Sequence, residues 1–302
     1  LLVLTLNLLV GYGGQISIGH AGLLGVGGYS AALLAQHLPS LAFPLEVLLA
    51  GLATALVGFL LGLPTGRLRG SYLAVVTIGF GVAVPQIAND MTSITGGYTG
   101  LVVGPAHINS LTFSSPVSFY YVALIVVALC FLLIIAMLRS STGRAFQAVR
   151  DSEAGAAAMG VNVARAKVLL FTVSAFYAGV AGDLFAHYQG IVSPDSFPFS
   201  LSLLLLAVVM VGGAASVWGS IIGAAVLVLV QNATSSLPGE STTIVGGVVV
   251  ALLVLSPGGL VSIPGAIRRR RAGNRDEASA QGPAAVAASP SPVTVAGAEE
   301  VE

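Results

Sequence analysis

Residues 117–138 read VSFYYVALIVVALCFLLIIAML and are followed at once by residues 139–167, which read RSSTGRAFQAVRDSEAGAAAMGVNVARAK. The first stretch contains no charged side chain, and its length suits a membrane-spanning helix, which needs about 20 apolar residues. The second stretch contains five of the twelve cationic residues of the chain. Because another apolar run follows it directly, this polar stretch must connect two membrane spans outside the bilayer.

The rest of the sequence continues this pattern. Hydrophobic residues make up 56% of the chain and charged residues only 8%, whereas soluble chains are about one quarter charged, so a soluble domain is excluded. Full or partial spans are expected at residues 1–12, 18–36, 45–63, 70–88, 117–138, 166–188, 199–213, 217–234 and 243–262. The predicted fold is therefore all-α, a polytopic transmembrane helical bundle of about 8–10 spans, some of them broken. The first span begins at Leu1 with no methionine or charged segment before it, which is typical of a sequence that continues upstream.

The positions of the cationic residues predict the orientation. Two lie in segment 67–69, five in 139–167 and five in 268–275, and the other loops contain none. Alternation of the spans puts these three segments on one side of the membrane, which the positive-inside rule identifies as cytoplasmic. We therefore expect a transmembrane domain over residues 1–271. Residues 272–302, rich in Ala, Ser and Pro, are expected to form a disordered cytoplasmic tail.

The middle of the polar stretch predicts a short helix. Asp151 or Ser152 can cap its N-terminus, Glu153 lies near the positive end of the helix dipole, and Gly160 suits its C-terminal stop. A membrane protein that exposes such a small-residue helix to the cytoplasm is expected to offer it to a partner. The alternative is a plain loop whose arginines anchor the neighbouring spans.

No catalytic or nucleotide-binding motif is recognisable in the sequence. Lys167, the only lysine, does not belong to a G-x-x-x-x-G-K-[ST] loop, so another polypeptide would have to bind any ATP that is used. Cys130 is the only cysteine and lies inside an apolar span, which excludes a disulfide framework and a cysteine metal site. His20 has no second ligand at position i+4. We therefore expect no catalytic residue, no metal and no bound cofactor in this chain.

Residues 11–22, GYGGQISIGHAG, interrupt the first apolar region with glycines and polar side chains. Irregular backbone at membrane depth is tolerated where it is buried in protein or lines a cavity, and broken helices often form the pathway of transporters. Tight helix packing through small residues is the alternative, and both can hold. A weaker echo, GGxxS, occurs at residues 13–17 and 212–216. The breaks lead us to predict these polar residues as pathway lining: Gln15, Ser17, His20, Thr77 and Ser216.

Ionisable residues inside a span would indicate ion or proton coupling. Glu46 and Asp90 lie at predicted span ends, where placement at the membrane interface is expected. Asp183 and His187 are one helical turn apart near the end of span 166–188, so they can form a proton relay or a local hydrogen-bonded pair. These residues give only thin support for an ion-coupled carrier or channel. Such a protein is the alternative, from a different functional class, to a transporter driven by a partner that binds ATP.

Over nearly its whole length the chain resembles the LivM-type permeases of ABC importers for branched-chain amino acids. The resemblance is carried by residues 6–21, 69–74, 77–81, 95–97, 142–145, 153–160, 193–194, 197, 211–213 and 219. It implies that residues 153–160 form the coupling helix that docks on an ATP-hydrolysing subunit. Glu153, Ala154 and Gly160 match the family pattern at this helix.

Three positions depart from the family pattern. Gly155 stands where alanine is common, and Thr99 and Val82 stand where an acid is often found. Importers of urea and short-chain amides share much of the same pattern. They are therefore the alternative to branched-chain amino acids.

The resemblance implies the ABC importer permease fold and a subunit of the bacterial inner membrane that is not itself an enzyme and moves solute inward. The implied partners are a homologous permease, two ATPase subunits that bind ATP and Mg²⁺, an extracytoplasmic solute-binding protein and membrane lipid, and no nucleic acid. Arg144 and Arg150 are expected to pair with acidic residues of the ATPase.

Overall fold

The structure, a computed structural model, describes residues 1–65, 71–108, 111–113, 115–234, 246–248 and 251. These residues belong to one compact unit of the chain, Leu1–Val261. Its helices are α1 Leu2–Asn7, α2 His20–His37, α3 Phe43–Thr65, α4 Ser71–Asp90, α5 Thr92–Thr95, α6 Pro116–Arg139, α7 Ser141–Asp151, α8 Glu153–Ala158, α9 Val163–Gln189, α10 Phe199–Gly212 and α11 Val217–Thr234.

Short irregular elements connect these helices. A π-helix, Leu8–Tyr12, continues α1, and 3₁₀ turns cover Gly97–Thr99 and Pro194–Ser196. The strands are β1 Leu101–Val102, β2 His107–Ile108, β3 Leu111–Thr112 and β4 Ile191–Val192. β1 pairs with β4 and β2 pairs with β3, both antiparallel. The first pair ties the connection before α6 to the segment that follows α9.

Several described helices are long and apolar enough to cross a membrane. They are Phe43–Pro64, Tyr72–Asp90, Pro116–Arg139, Val163–Gln189 and Pro194–Gly212, and Leu2–Tyr12 and Val217–Ala233 are shorter apolar helices. Each predicted span from 1–12 to 217–234 coincides with a helix, which confirms an all-α, polytopic membrane bundle. Most of the predicted span 243–262, the cationic segments 67–69 and 268–275, and the tail 272–302 lie outside the described residues.

Helix α9 lies at the centre of the bundle. Its 27 residues extend over about 40 Å, and it packs mainly along α3 and α2. Glycines allow this approach: a Cβ atom on Gly27 would lie 2.5 Å from the carbonyl oxygen of Gly179, and one on Gly179 would lie 2.5 Å from Thr54 Oγ1. Since lipid tails are as apolar as the side chains, close packing of this kind is a main source of helix association in a membrane.

Helix α6, by contrast, turns most of its surface outward. Its large apolar side chains Ile125, Leu129 and Leu132 are each more than half exposed. Such a surface is stable in contact with lipid and would be an aggregation hazard in water. The contrast between α9 and α6 separates the protein-facing centre of the bundle from its lipid-facing side.

Candidate functional site

The first helix breaks where the glycines predict it. The π-helix ends at Tyr12, residues 13–19 contain no helix or strand, and α2 begins at His20. Gly14 has φ +63°, which glycine adopts at little cost. The polar side chains of the break are enclosed by protein, with Gln15 5% and Ser17 1% exposed. Most of the break is therefore enclosed by the bundle, where irregular backbone can be accommodated, while Gly14 and Ile16 are exposed.

A hydrogen-bond chain fixes His20 beside the break. Ser174 Oγ donates to the Thr5 carbonyl at 2.8 Å, so at its 3.1 Å contact with His20 Nε2 the serine oxygen must accept and the histidine must donate. Nδ1 of His20 is then free to accept from Ser17 Oγ, 3.4 Å away. Both ring nitrogens of His20 thus have partners within the protein.

Thr77 joins the same region from α4. The Ile18 amide donates to Thr77 Oγ1 at 3.1 Å, and Thr77 itself is 1% exposed. Four of the five residues predicted to line a pathway, all except Ser216, therefore lie in or against the break. Gln15 Oε1 differs from the other polar atoms here because it is buried with no hydrogen-bond partner among the described residues.

The second break, residues 213–216, lies against α1 and the π-helix that lead into the first break. Asn7 Nδ2 donates to the Ser216 carbonyl and to Ser220 Oγ, both at 2.7 Å, and Asn7 Oδ1 accepts from the Ala215 amide at 2.9 Å. Ala215 has φ +60°, unusual for a residue other than glycine. The predicted echo between residues 13–17 and 212–216 thus corresponds to two interrupted segments on neighbouring parts of the bundle, joined by Asn7.

The polar stretch 139–167 forms α7, α8 and the start of α9. Ser152 caps α8, since its Oγ accepts from the Gly155 amide at 3.0 Å, which decides between the two predicted caps. Gly160 ends this segment with φ +84°, in the left-handed conformation predicted for a helix stop. Of α8 only Ala156 is buried, and Met159 just after it is 85% exposed.

Two separately predicted features meet in one cavity of about 230 Å³. Its lining residues are Gly13, Gly14, Gln15, Ile16, Leu73, Val149, Arg150, Asp151, Ser152, Glu153 and Lys167. Lys167 Nζ forms an ion pair with Glu153 Oε1 at 2.7 Å, and Gln15 Nε2 lies 3.4 Å from the Lys167 carbonyl oxygen. The break in the first helix and the N-terminus of α8 are therefore joined through the start of α9.

The remaining residues predicted for coupling are exposed. Ala154 and Gly160 lie on the open surface around α8. Arg144 is also exposed and donates to the Arg139 carbonyl at 3.2 Å, and Arg150 combines an exposed side chain with a place in the cavity wall. A second protein could therefore reach all four residues.

Sequence reasoning missed two residues that hold these segments together, Asn7 and Lys167. Both are polar residues in or beside an apolar run, and both are buried, at 0% and 6% exposure. An isolated polar residue in such a run is a usable signal, because burying it without a partner costs about 1–3 kcal/mol.

A second polar cluster lies at the other end of α9. Glu46, expected at the membrane interface, is 2% exposed and enclosed by protein. Its Oε1 lies 3.2 Å from His187 Nε2, and the ligand atoms of Glu46, Asp183 and His187 all lie within 4.8 Å of one another. Asp183 and His187 therefore face the same point together with a third residue from α3, but Asp183 has no hydrogen-bond partner among the described residues, so the predicted hydrogen-bonded pair is not formed. Asp90, in contrast, is exposed at the end of α4, as expected.

Comparison with known proteins agrees with the helical, apolar architecture. The family model described as branched-chain amino acid transport system / permease component matches residues 1–257. The chain belongs to this permease family. No match to a solved structure reaches significance.

The relatives of this permease include both kinds of branched-chain permease. It is 37% identical to the high-affinity branched-chain amino acid transport system permease protein LivM of Salmonella typhimurium and to that of Escherichia coli K12, over 86% of this chain and 67% of each relative. It is also 28% identical to the permease protein LivH of Escherichia coli K12, over 41% of each chain. Membership of the family confirms a multi-pass membrane protein of the permease class.

Proposed function

We propose that this permease is the membrane-spanning subunit of an ATP-driven ABC importer that moves branched-chain amino acids inward. Residues 153–160 would receive the motion of separate ATPase subunits. The observation that carries the proposal is the junction of α8, α9 and the first break around one cavity. Because Glu153 is bonded to Lys167 and Lys167 contacts Gln15, displacement of α8 would act directly on the break.

The proposed assembly contains a homologous permease, two ATPase subunits that bind ATP and Mg²⁺, and an extracytoplasmic solute-binding protein. The chain would lie in the bacterial inner membrane with α8 and the C-terminus in the cytoplasm, as the positive-inside rule predicts. Arg144 and Arg150, exposed near α8, would pair with acidic residues of the ATPase. Similarity to both LivM and LivH relatives supports a transporter with paired permeases.

The proposed solute pathway passes the breaks, with Gln15, Ser17, His20, Thr77 and Ser216 as its polar residues. None of these residues is an acid, a lysine or an arginine, and both ring nitrogens of His20 have protein partners. A wall of this kind suits a zwitterion without net charge. Selection of the solute would then rest mainly on the external binding protein.

Two glycines provide a matched test of the coupling proposal. Gly160 and Gly190 both have left-handed backbone, φ +84° and +72°, and a Cβ atom added at either would meet nothing within 4 Å. Alanine at either site therefore costs the same conformational strain, about 1–2 kcal/mol. The two sites differ in that only Gly160 belongs to the proposed docking segment.

The experiment is co-purification of the ATPase subunits with the permease pair, followed by solute-stimulated ATP hydrolysis in proteoliposomes. We expect Gly160→Ala to lower both readings at least several-fold, and Gly190→Ala to leave them near the wild-type level. Equal behaviour of the two variants would refute the docking role of residues 153–160. Uptake of leucine, isoleucine and valine but not of urea or acetamide would support the solute class, and uptake driven by an ion gradient without ATP would refute the importer.

A further inference from the structure

Glu46, Asp183 and His187 form a compact cluster where α3 begins and α9 ends. Lys167, at the start of α9, is about 30 Å away along the helix, so the cluster is separate from the cavity described above. The side chains of His187 and Glu46 are 2% and 3% exposed, and Asp183 is 0% exposed. The rings of Phe43 and Phe119 lie 5.2 and 6.2 Å from the His187 ring, which makes the surroundings apolar.

The charges of this cluster are not balanced by the described part of the protein. Glu46 has His187 as its neighbour, an ion-pair partner only when the ring is protonated, while both carboxylate oxygens of Asp183 are buried without any hydrogen-bond partner among the described residues. Burying an isolated carboxylate is strongly unfavourable, so such groups are normally paired or coordinate a metal. In membrane spans, buried ionisable residues mark functional sites more often than structural ones.

The hydrogen bond of His187 to a backbone carbonyl determines which of its ring nitrogens carries a hydrogen. His187 Nδ1 lies 3.0 Å from the Gly104 carbonyl, an acceptor, so Nδ1 must carry a hydrogen. In the neutral ring Nε2 then carries only a lone pair, which points at Glu46 Oε1. The two atoms are 3.2 Å apart. Two lone pairs in this position repel each other unless a proton or a cation lies between them. A backbone carbonyl on the other ring nitrogen is also the usual arrangement behind a metal-ligating histidine.

A single metal ion accounts for the cluster better than protons do. Protons would have to be placed both on Asp183 and between Glu46 and His187, whereas one ion contacts all three side chains at once. A divalent cation would also cancel the two carboxylate charges. The ligand atoms, all within 4.8 Å of one another, need only small rotations to reach the separation of about 3.3 Å found around an ion with bonds of about 2.0–2.2 Å.

We propose that Glu46, Asp183 and His187 bind a divalent transition-metal ion, for which Zn²⁺ is the probe. An imidazole nitrogen with two carboxylates favours this class over Mg²⁺ and Ca²⁺, which prefer oxygen ligands alone. The ion holds α3 and α9 together, because Glu46 belongs to α3 and the other two ligands belong to α9. His187 also extends this link to the connection before α6 through its hydrogen bond to the Gly104 carbonyl. This inference does not rest on the proposed transport function.

The sequence predicts the proximity of Asp183 and His187 but not a metal site, and the expectation from sequence was that the chain binds no metal. Asp183 and His187 are adjacent on α9, but Glu46 is 141 positions from His187 and comes close only through the packing of α3 along α9. Two ligands at helical spacing do not define a metal site. The third ligand appears only in the folded bundle.

The test uses the full chain purified in detergent with an affinity tag that contains no histidine. After EDTA treatment and dialysis against Zn²⁺, we expect about one tightly bound zinc ion per chain and a higher melting temperature than in EDTA. Absorption at the zinc edge should show nitrogen and oxygen ligands at about 2.0–2.2 Å. Asp183→Asn and Glu46→Gln should each weaken zinc binding at least tenfold and abolish the zinc-dependent rise in melting temperature.

Asp90→Asn is the matched control, since it removes an exposed carboxylate and should keep wild-type zinc binding. Should one of the cluster variants fail to fold, the other variant and the EDTA comparison on wild type still decide the question. Absence of stoichiometric zinc in the wild type overturns the proposal. So does a melting temperature that EDTA leaves unchanged while Asp183→Asn raises it, because that result assigns the cluster to protons alone.

Discussion

Glu153→Gln should weaken the attachment of α8 far more than the loss of an ordinary surface charge does. The ion pair joins Glu153, whose side chain is 47% exposed, to Lys167, whose side chain is 8% exposed, at 2.7 Å. Removing the carboxylate leaves the lysine ammonium buried without a counter-charge, whereas Lys167→Met leaves a carboxylate that water can reach. The two single substitutions should therefore be unequal.

The expected magnitudes follow from that difference in burial. Fully buried pairs lose about 3–5 kcal/mol when one partner is removed, and exposed pairs contribute about 0.2–1 kcal/mol. With one partner buried and one half exposed, we expect about 2 kcal/mol for Glu153→Gln and below about 1 kcal/mol for Lys167→Met. The double variant should resemble Lys167→Met alone, because no charge then remains buried at this place.

Hydrogen exchange of the backbone amides in α8 measures this attachment locally. A loss of about 2 kcal/mol corresponds to roughly 30-fold faster exchange, since about 1.4 kcal/mol is a factor of ten. The amides in the middle of α9 provide the internal control and should not change. Equal acceleration in the two single variants, or a larger effect in Lys167→Met, would refute the reasoning from burial.

Three further substitutions, one of them with a matched control, test the packing of the site. Asn7→Ala removes three hydrogen bonds that join α1 to the second break and the start of α11, and should lower the stability by about 3 kcal/mol or more, read as a fall in melting temperature. Gly27→Ala should destabilise the bundle because its methyl group meets backbone atoms of Gly179, while Gly79→Ala, with open space around it, should be neutral or slightly stabilising. Ser152→Ala should cost α8 about 1 kcal/mol of cap energy, measured as about fivefold faster amide exchange in α8 alone.

The sequence predicts this architecture well because the dominant physical terms are local. A span is visible as a run of apolar residues, and a break is visible as glycines and polar residues inside such a run. The break at residues 13–19 and the stop at Gly160 each contain a glycine with left-handed backbone, Gly14 and Gly160, a conformation that other residues rarely adopt. Capping chemistry similarly limits the start of α8 to two residues, of which the structure selects Ser152.

Long-range pairings could not be predicted in the same way. Asn7 meets Ser216 and Ser220 across more than 200 positions, and nothing near Asn7 in the sequence indicates these partners. Glu46 stands out in the sequence only as an acid at a span end, and its burial beside His187 follows from the packing of α3 against α9. Such partners are set by which helices become neighbours, and apolar periodicity contains little information on that choice in a chain whose helices are apolar on all sides.

ATP-dependent leucine uptake by a variant with arginine on the exposed surface of α8 tests the central claim most directly. Ala154→Arg changes an exposed side chain, so the isolated permease should fold and insert as the wild type does, and Ala164→Arg puts the same group on an exposed position of α9 outside residues 153–160. In proteoliposomes containing the whole importer, we predict that Ala154→Arg abolishes uptake and association of the ATPase, while Ala164→Arg retains most of both. Wild-type uptake by Ala154→Arg would contradict the assignment of this helix as the joint to the ATPase.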